Sequence, residues 1–159
     1  MELLHCYGYH TGSNWTGVSL GEFLSCRHNL AHDRQTRMLA DLRPLGCYNT
    51  SALPSATRRR LLLRGAATNL RQMAFFGLTE RLGDSARLFQ RRFGIRFDVE
   101  LRQLATTHGE LDSRRLSAAD RRRVHLANRL DTKLYEYARR LFERRMQKLN
   151  EVINISASQ

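Results

Sequence analysis

Between Ser117 and Val152 one apolar stripe persists at helical spacing, with no proline or glycine to interrupt it. Ser117, with Asp120 three residues on, supplies a cap signal. Val124, Ala127, Leu130, Leu134, Tyr137, Leu141 and Leu149 fall on one side, and Arg122, Arg129, Arg139, Arg140 and Arg144 fall largely off it. The spacing predicts a single helix from about Ser117 to Val152. At about 1.5 Å per residue it would be on the order of 50 Å long, so its far end should project from the body.

Shorter helices are expected upstream. Ser19 and Glu22 make a capping box ahead of a short helix over Glu22–Cys26. A second helix, about Asn29–Leu42, has Met38, Leu39 and Leu42 as its apolar side, and Pro44 and Gly46 end it. Asp33, Arg34, Arg37 and Asp41 lie at spacings that usually make salt bridges within a helix. Pro54 opens a third helix reaching roughly to Arg71, with Arg58–Arg60 in its first turn, where cations oppose the dipole.

The run Met73–Leu78 (MAFFGL) is short, continuous and apolar, which predicts a buried strand. Thr79 then caps a helix over Glu80–Phe93, with Leu82, Ala86, Phe89 and Phe93 on its inner side. Strand followed directly by helix is the unit of a parallel α/β sheet. A second, weaker strand is predicted over Ile95–Val99. The fold class expected is therefore α/β, mostly helical, with one or two short strands and a long C-terminal helix.

The charge narrows function. Lys+Arg total 27 against 15 Asp+Glu, a formal net charge of +12, and only Lys133 and Lys148 among the cations are lysine. Arginine grips sulfate, phosphate or carboxylate with a planar fork of donors, so a polyanionic partner is the default functional reading; a merely solvated basic surface is the bland one. A nucleic-acid-binding helical protein is a further class open on charge, but no helix-turn-helix, finger or RNP pattern is present. Cys6, Cys26 and Cys47 fit neither a CxxC motif nor a zinc ribbon. His28 and His32, four apart, lack a third ligand, so a solvated helix face is preferred to a metal site. Sequons at Asn14, Asn49 and Asn154 are glycosylation candidates and tilt the compartment towards the secretory pathway. No GxxxxGK[ST] or GxGxxG loop occurs. No run of 18 apolar residues occurs either, and the start has no signal-peptide pattern.

Three blocks then carry a resemblance: NLAHDRQTRMLADL at Asn29–Leu42, GCYN at Gly46–Asn49 and NLRQMAFFGLTE at Asn69–Glu80. In order and spacing they resemble the heparan-sulfate 6-O-sulfotransferases, and LYEYA at Leu134–Ala138 matches as well. The resemblance implies a partial sulfotransferase (P-loop-like) fold. Residues 1–153 would be the C-terminal part of the catalytic domain and 154–159 a disordered tail. It implies sulfuryl transfer from 3′-phosphoadenylyl sulfate to the 6-hydroxyl of glucosamine in heparan sulfate, with no metal. Heparan sulfate, not nucleic acid, would be the partner. The phosphosulfate loop and catalytic histidine would lie upstream, so no catalytic residue is assigned here and the chain is expected to be inactive alone. A non-catalytic heparan- or polyanion-binding module is the alternative.

In the family, a loop closing over the adenosine end of the donor aligns with Phe97–Gly109. Gln103, Thr106 and Thr107 keep its pattern, while Arg102, Leu104, Ala105, His108 and Gly109 replace the usual residues. The resemblance nominates Arg102, Gln103, Leu104, His108 and Gly109 for the donor nucleotide. It further implies a type II Golgi membrane protein with a lumenal catalytic domain, anchored through a signal-anchor absent from these residues.

Overall fold

The computed structural model describes residues 18–26, 29–47, 49, 51–99, 101 and 115–157. Among these, six helices appear: α1 (Leu20–Ser25), α2 (Arg34–Leu39), α3 (Ser55–Gln72), α4 (Leu82–Phe93), α5 (Ala118–Ala127) and α6 (Arg129–Ala157). Short 3-10 turns cover Arg43–Leu45 and Thr79–Arg81. Helices α2, α3 and α6 pack on one another, α4 packs on α6, and α1 packs on α5.

The core lies along α6, as the apolar stripe demands. Leu134, Ala138, Phe142, Met146 and Leu149 pack with Ala66 and Leu70 of α3 and with Leu78, and Phe142 and Ala66 are wholly buried. A smaller cluster joins Leu45, Leu62 and Leu130. Two arginines brace this core through their stems and guanidinium faces. Arg145 lies 4.8 Å over the Phe76 ring, and Arg81 lies 5.3 Å over Phe142. Arg58 turns away from the α3 dipole and donates to the carbonyls of Leu45, Cys47 and Asn49. That explains how a cation is accommodated in a first turn.

Both cap signals are realised. Ser19 Oγ accepts from Glu22 N at 3.2 Å while Ser19 N donates to Glu22 Oε2 at 2.8 Å. Ser117 Oγ accepts from Asp120 N at 3.0 Å. Cys26 is buried and disulfide-bonded, and Cys47 is a free, exposed thiol.

Several expectations are corrected. Among the described residues there is no β-strand. Met73 and Leu78 do have extended torsions (ψ 132° and 129°), but their hydrogen-bonding groups are taken by the helix end of α3, by the turn that follows and by side chains. Ser85 Oγ accepts from Leu78 N at 2.9 Å and donates back to Leu78 O at 3.1 Å. Arg145 donates to Arg71 O and Met73 O at 3.1 and 2.9 Å. With those groups occupied by α4 and α6, the apolar run docks on helices instead of joining a ladder. The absence of Cβ at Gly77 permits this, since one built there would stand 2.9 Å from Ser85 Cβ. Ile95–Val99 likewise forms no strand, and Phe97 N donates to Gln90 Oε1 at 3.0 Å.

The expected single long helix is two. Asn128 (φ −120°, ψ 32°) breaks it, with Nδ2 donating to Val124 O at 2.9 Å; an Asn side chain competes with helical bonding in this way. Beyond the break, α6 runs for 29 residues to Ala157, past Val152 and through positions assigned to a tail. Helix α2 is shorter than expected because Asp33, at φ 46°, sits in the left-handed region and starts it late. Met38 faces solvent, not the core. Thr79 does not cap α4 with its side chain; it opens a 3-10 turn instead. Asp41 pairs with Arg43, its neighbour two residues on, at 2.9 Å.

Candidate functional site

Two helix N-termini meet head to head. At the start of α6, Asp33 Oδ1 accepts from Leu130 N at 2.7 Å and from Asp131 N at 3.2 Å. At the start of α2, Asp131 Oδ1 accepts from Thr36 N and Thr36 Oγ1, both at 2.7 Å, and Oδ2 accepts from Gln35 N at 3.0 Å. Asn128 Oδ1 accepts from Asp33 N at 3.2 Å. Each helix therefore supplies the cap of the other, from partners 95 to 98 residues away in sequence. The free amides of a helix start and its positive dipole end both favour a carboxylate there. Burial nevertheless pushes the Asp33 carboxyl up, against the lowering effect of its two amide bonds.

This junction forms one wall of the largest described cleft, about 590 Å³. Its floor is apolar, built from Leu39, Leu70, Phe76, Leu78, Leu134 and Ala138. Its rim carries Gln35, Thr132, Tyr135 and Glu80. The Tyr135 hydroxyl donates to Glu80 Oε1, which holds the Glu80 carboxyl below its ordinary range and the Tyr135 phenol above its own. At neutral pH one is thus a fixed anion and the other a fixed donor. Among the described lining residues none is a histidine, and the cleft offers shape, hydroxyls and charge.

A second hollow, about 340 Å³, lies beside α4 and is almost wholly apolar, with Phe75, Phe89, Phe97 and Leu101 on its walls. Phe97 stacks on Phe89 at 5.5 Å, and Phe75 meets Phe89 edge-on at 5.1 Å. Leu101 stands directly before Arg102, the first residue nominated for the nucleotide. A third hollow, again about 340 Å³, is lined by Ser25, His32, Arg123 and Leu126 among others. His32 Nε2 is buried there without a hydrogen-bond partner. Burial first, and then the positive charge of Arg37, pull the His32 imidazole below its ordinary range.

Some arginines are used within the fold, and other cations are left at the surface. Arg58, Arg81 and Arg145 are committed to carbonyls, carboxylates and ring faces within the fold. Arg60, Arg64 and Arg71 remain exposed on one side of α3, and Lys133, Arg140, Arg144 and Lys148 are exposed along α6. These exposed rows are what a polyanion could meet.

All the residues nominated for the donor, Arg102, Gln103, Leu104, His108 and Gly109, lie outside the described residues, as do Asn14 and His28. Asn49 is exposed, its Oδ1 accepting from Ser51 N at 3.0 Å. Asn154 lies within α6. The reciprocal caps and the Glu80–Tyr135 pair were missed from sequence. A cap signal did exist in DRQT at Asp33–Thr36 and NRLD at Asn128–Asp131, two similar helix starts. Nothing in either block says that they exchange partners.

A cleft walled by helix starts, beside a basic surface and a family-like sequence frame, narrows the class, and comparison with known proteins settles it. The sulfotransferase family model matches residues 2–138, and the chain belongs to that family. Within it, the chain is similar to human heparan-sulfate 6-O-sulfotransferase 1, at 44% identity over 149 residues, covering 92% of the chain and 34% of that enzyme. Chicken heparan-sulfate 6-O-sulfotransferase 2 is 41% identical over 150 residues, covering 94% of the chain and 36% of the enzyme. Human heparan-sulfate 6-O-sulfotransferase 3 is 43% identical over 144 residues, covering 91% and 30%. The chain thus spans about a third of the length of the curated relatives it matches. No described helix is long and apolar enough to cross a membrane.

Proposed function

We propose that the chain serves sulfuryl transfer from 3′-phosphoadenylyl sulfate to the 6-hydroxyl of glucosamine in heparan sulfate. The observation that supports this is 41–44% identity over more than nine-tenths of the chain to proteins named heparan-sulfate 6-O-sulfotransferases. The reaction would be an in-line displacement. A base takes the proton of the 6-hydroxyl, its oxygen attacks sulfur, and adenosine 3′,5′-bisphosphate leaves with the bridging oxygen. Such a step is governed by positioning and by stabilisation of charge on the transferring group. These 159 residues would contribute the heparan-facing basic rows and, through Arg102, Gln103, Leu104, His108 and Gly109, part of the donor cover. The base and the phosphosulfate loop are not supplied by any motif in the sequence, so the chain alone is expected not to turn over. A lumenal Golgi setting, with a membrane anchor and glycans at Asn14, Asn49 and Asn154, belongs to the same proposal.

The test is incubation of the 159-residue chain with labelled donor and 6-O-desulfated heparan. No labelled product is expected, and turnover would overturn the assignment of the base and loop elsewhere. The exposed arginine rows favour a second reading, a polyanion-binding module without chemistry. Calorimetry separates the two. Binding of adenosine 3′,5′-bisphosphate as well as heparin supports the sulfotransferase role, whereas heparin binding alone supports the module. In either case heparin affinity should fall steeply with added salt, because counterions are released from the polyanion.

A further inference from the structure

Arg145 is half-buried where α6 meets the end of α3. One face of its guanidinium lies 4.8 Å over the Phe76 ring. Its Nη2 donates to the carbonyls of Arg71 and Met73 at 3.1 and 2.9 Å, which caps the last turn of α3. A guanidinium carries five N–H donors. Nη2 accounts for two of them, and Nε and Nη1 have no partner among the described residues.

The deeper a cation is drawn from water, the more it needs a carboxylate beside it. Arg145 has none: no ion pair among the described residues reaches it. Burial pulls its guanidinium below the ordinary range, and the charge that acts on it next is another cation, Arg92. Arg92 is exposed in the last turn of α4 and is likewise in no ion pair among the described residues. The exposed side chain of Arg71 starts from the same corner, on the residue whose carbonyl Arg145 holds. Capping α3 accounts for Arg145 Nη2, but it does not account for a second guanidinium brought up against the first. Two like charges held together without a counter-charge repel, and an anion between them removes that cost.

We propose that Arg92 and Arg145 together bind a tetrahedral oxyanion of the sulfate or phosphate class, with Arg71 at the rim. Arg145 offers its Nε–H and Nη1–H groups from a fixed position, and Arg92 offers an exposed fork. Charge-assisted bonds from guanidinium to such oxygens are the stronger kind. Met73 and Phe76, which Arg145 contacts, also line the large cleft, so the anion sits beside it. Two sources carry this chemistry, a free inorganic anion and a sulfate ester on a polysaccharide. The site stands on charge and packing and does not require sulfuryl transfer.

The test is the thermal midpoint of the natural chain, Arg92→Gln and Arg91→Gln in millimolar sodium sulfate and in sodium chloride of matched ionic strength. Arg91 is the control: it is exposed on the same turn, its loss changes the net charge equally, and it is not among the charges that act on Arg145. The natural chain and Arg91→Gln should gain in sulfate over chloride, because an anion that binds only the folded state stabilises it. Arg92→Gln should lose that gain. In chloride at low ionic strength its midpoint should exceed that of the natural chain, since the repulsion is gone. The NMR signal of Arg145 Nε–H should move on addition of sulfate in the natural chain and stay in place in Arg92→Gln. Titration with a heparin hexasaccharide distinguishes the sources. Affinity well above that for inorganic sulfate, lowered about tenfold by Arg92→Gln and about twofold or less by Arg91→Gln, assigns the anion to a polysaccharide. Affinity no higher than for sulfate assigns it to a free anion. A sulfate gain equal in all three forms is the general effect of an excluded salt and overturns the proposal. So does an Arg145 signal that ignores sulfate.

Discussion

Ser85 is buried on the inner side of α4, where a large apolar side chain would be the ordinary occupant, and its hydroxyl closes both backbone groups of Leu78. Ser85→Ala would strand a buried N–H and C=O, which costs about 1–3 kcal/mol. Gly77→Ala would press a methyl against Ser85, with a cost of the same order. Both are expected to lower the thermal midpoint in calorimetry, and the pair should be less than additive because each disturbs one contact. An unchanged midpoint for Ser85→Ala would show that Leu78 does not depend on that hydroxyl. The sequence placed Leu78 in the core correctly. It could not reveal that a serine, not the Leu82–Phe93 stripe alone, anchors the run, because a hydroxyl with two backbone partners leaves no periodic signature.

At the scale of elements, the exchange of caps between α2 and α6 sets where both helices begin. Asp33→Ala removes an acceptor from two amides at the α6 start and should destabilise by about 0.5–2 kcal/mol. Asp33→Asn should cost much less. Asparagine tolerates the left-handed backbone found there, keeps an acceptor oxygen, and lacks the charge whose burial is unfavourable. Urea titration of the two variants checks the order, and a larger loss for Asn than for Ala would contradict it. That helices exist was legible locally, since stripe and cap signals act over a few turns, although one predicted helix proved to be two. Helix ends were not, because Asp33 and Asn128 are fixed by each other across the fold. The strands failed for a related reason. An apolar run states that it is buried, not whether its backbone bonds go to another strand or to side chains. The nominated donor residues could be named only through resemblance, and composition alone would have left a basic helical protein.

For the molecule as a whole, acid response should expose His32. Its imidazole is lowered by burial and by Arg37, with Asp33 acting the other way. The unfolded chain therefore takes up a proton near the ordinary value of about 6.5 while the folded chain resists it. The histidine's contribution is intact above that pH and is lost progressively as pH falls from there through the lower folded value. The thermal midpoint should decline below about pH 6.5, and His32→Gln should flatten that decline. An equally steep decline in the variant would assign it elsewhere. Glu80 and Asp84 are held below the ordinary carboxylate range, by Tyr135 and by Arg87 with Arg81, so their contributions fade only in stronger acid. Asp33 runs opposite, its raised carboxyl favouring the folded state as acid is added.

The head-to-head handshake has an architectural corollary. Because Asp33 and Asp131 lock the two helix starts directly, the spacing between Gln35 and Tyr135 across the cleft mouth owes nothing to the length of chain joining α4 to α5. Insertions or deletions in that connection can accumulate while the mouth keeps its dimensions, leaving the intervening stretch at liberty to vary as recognition demands.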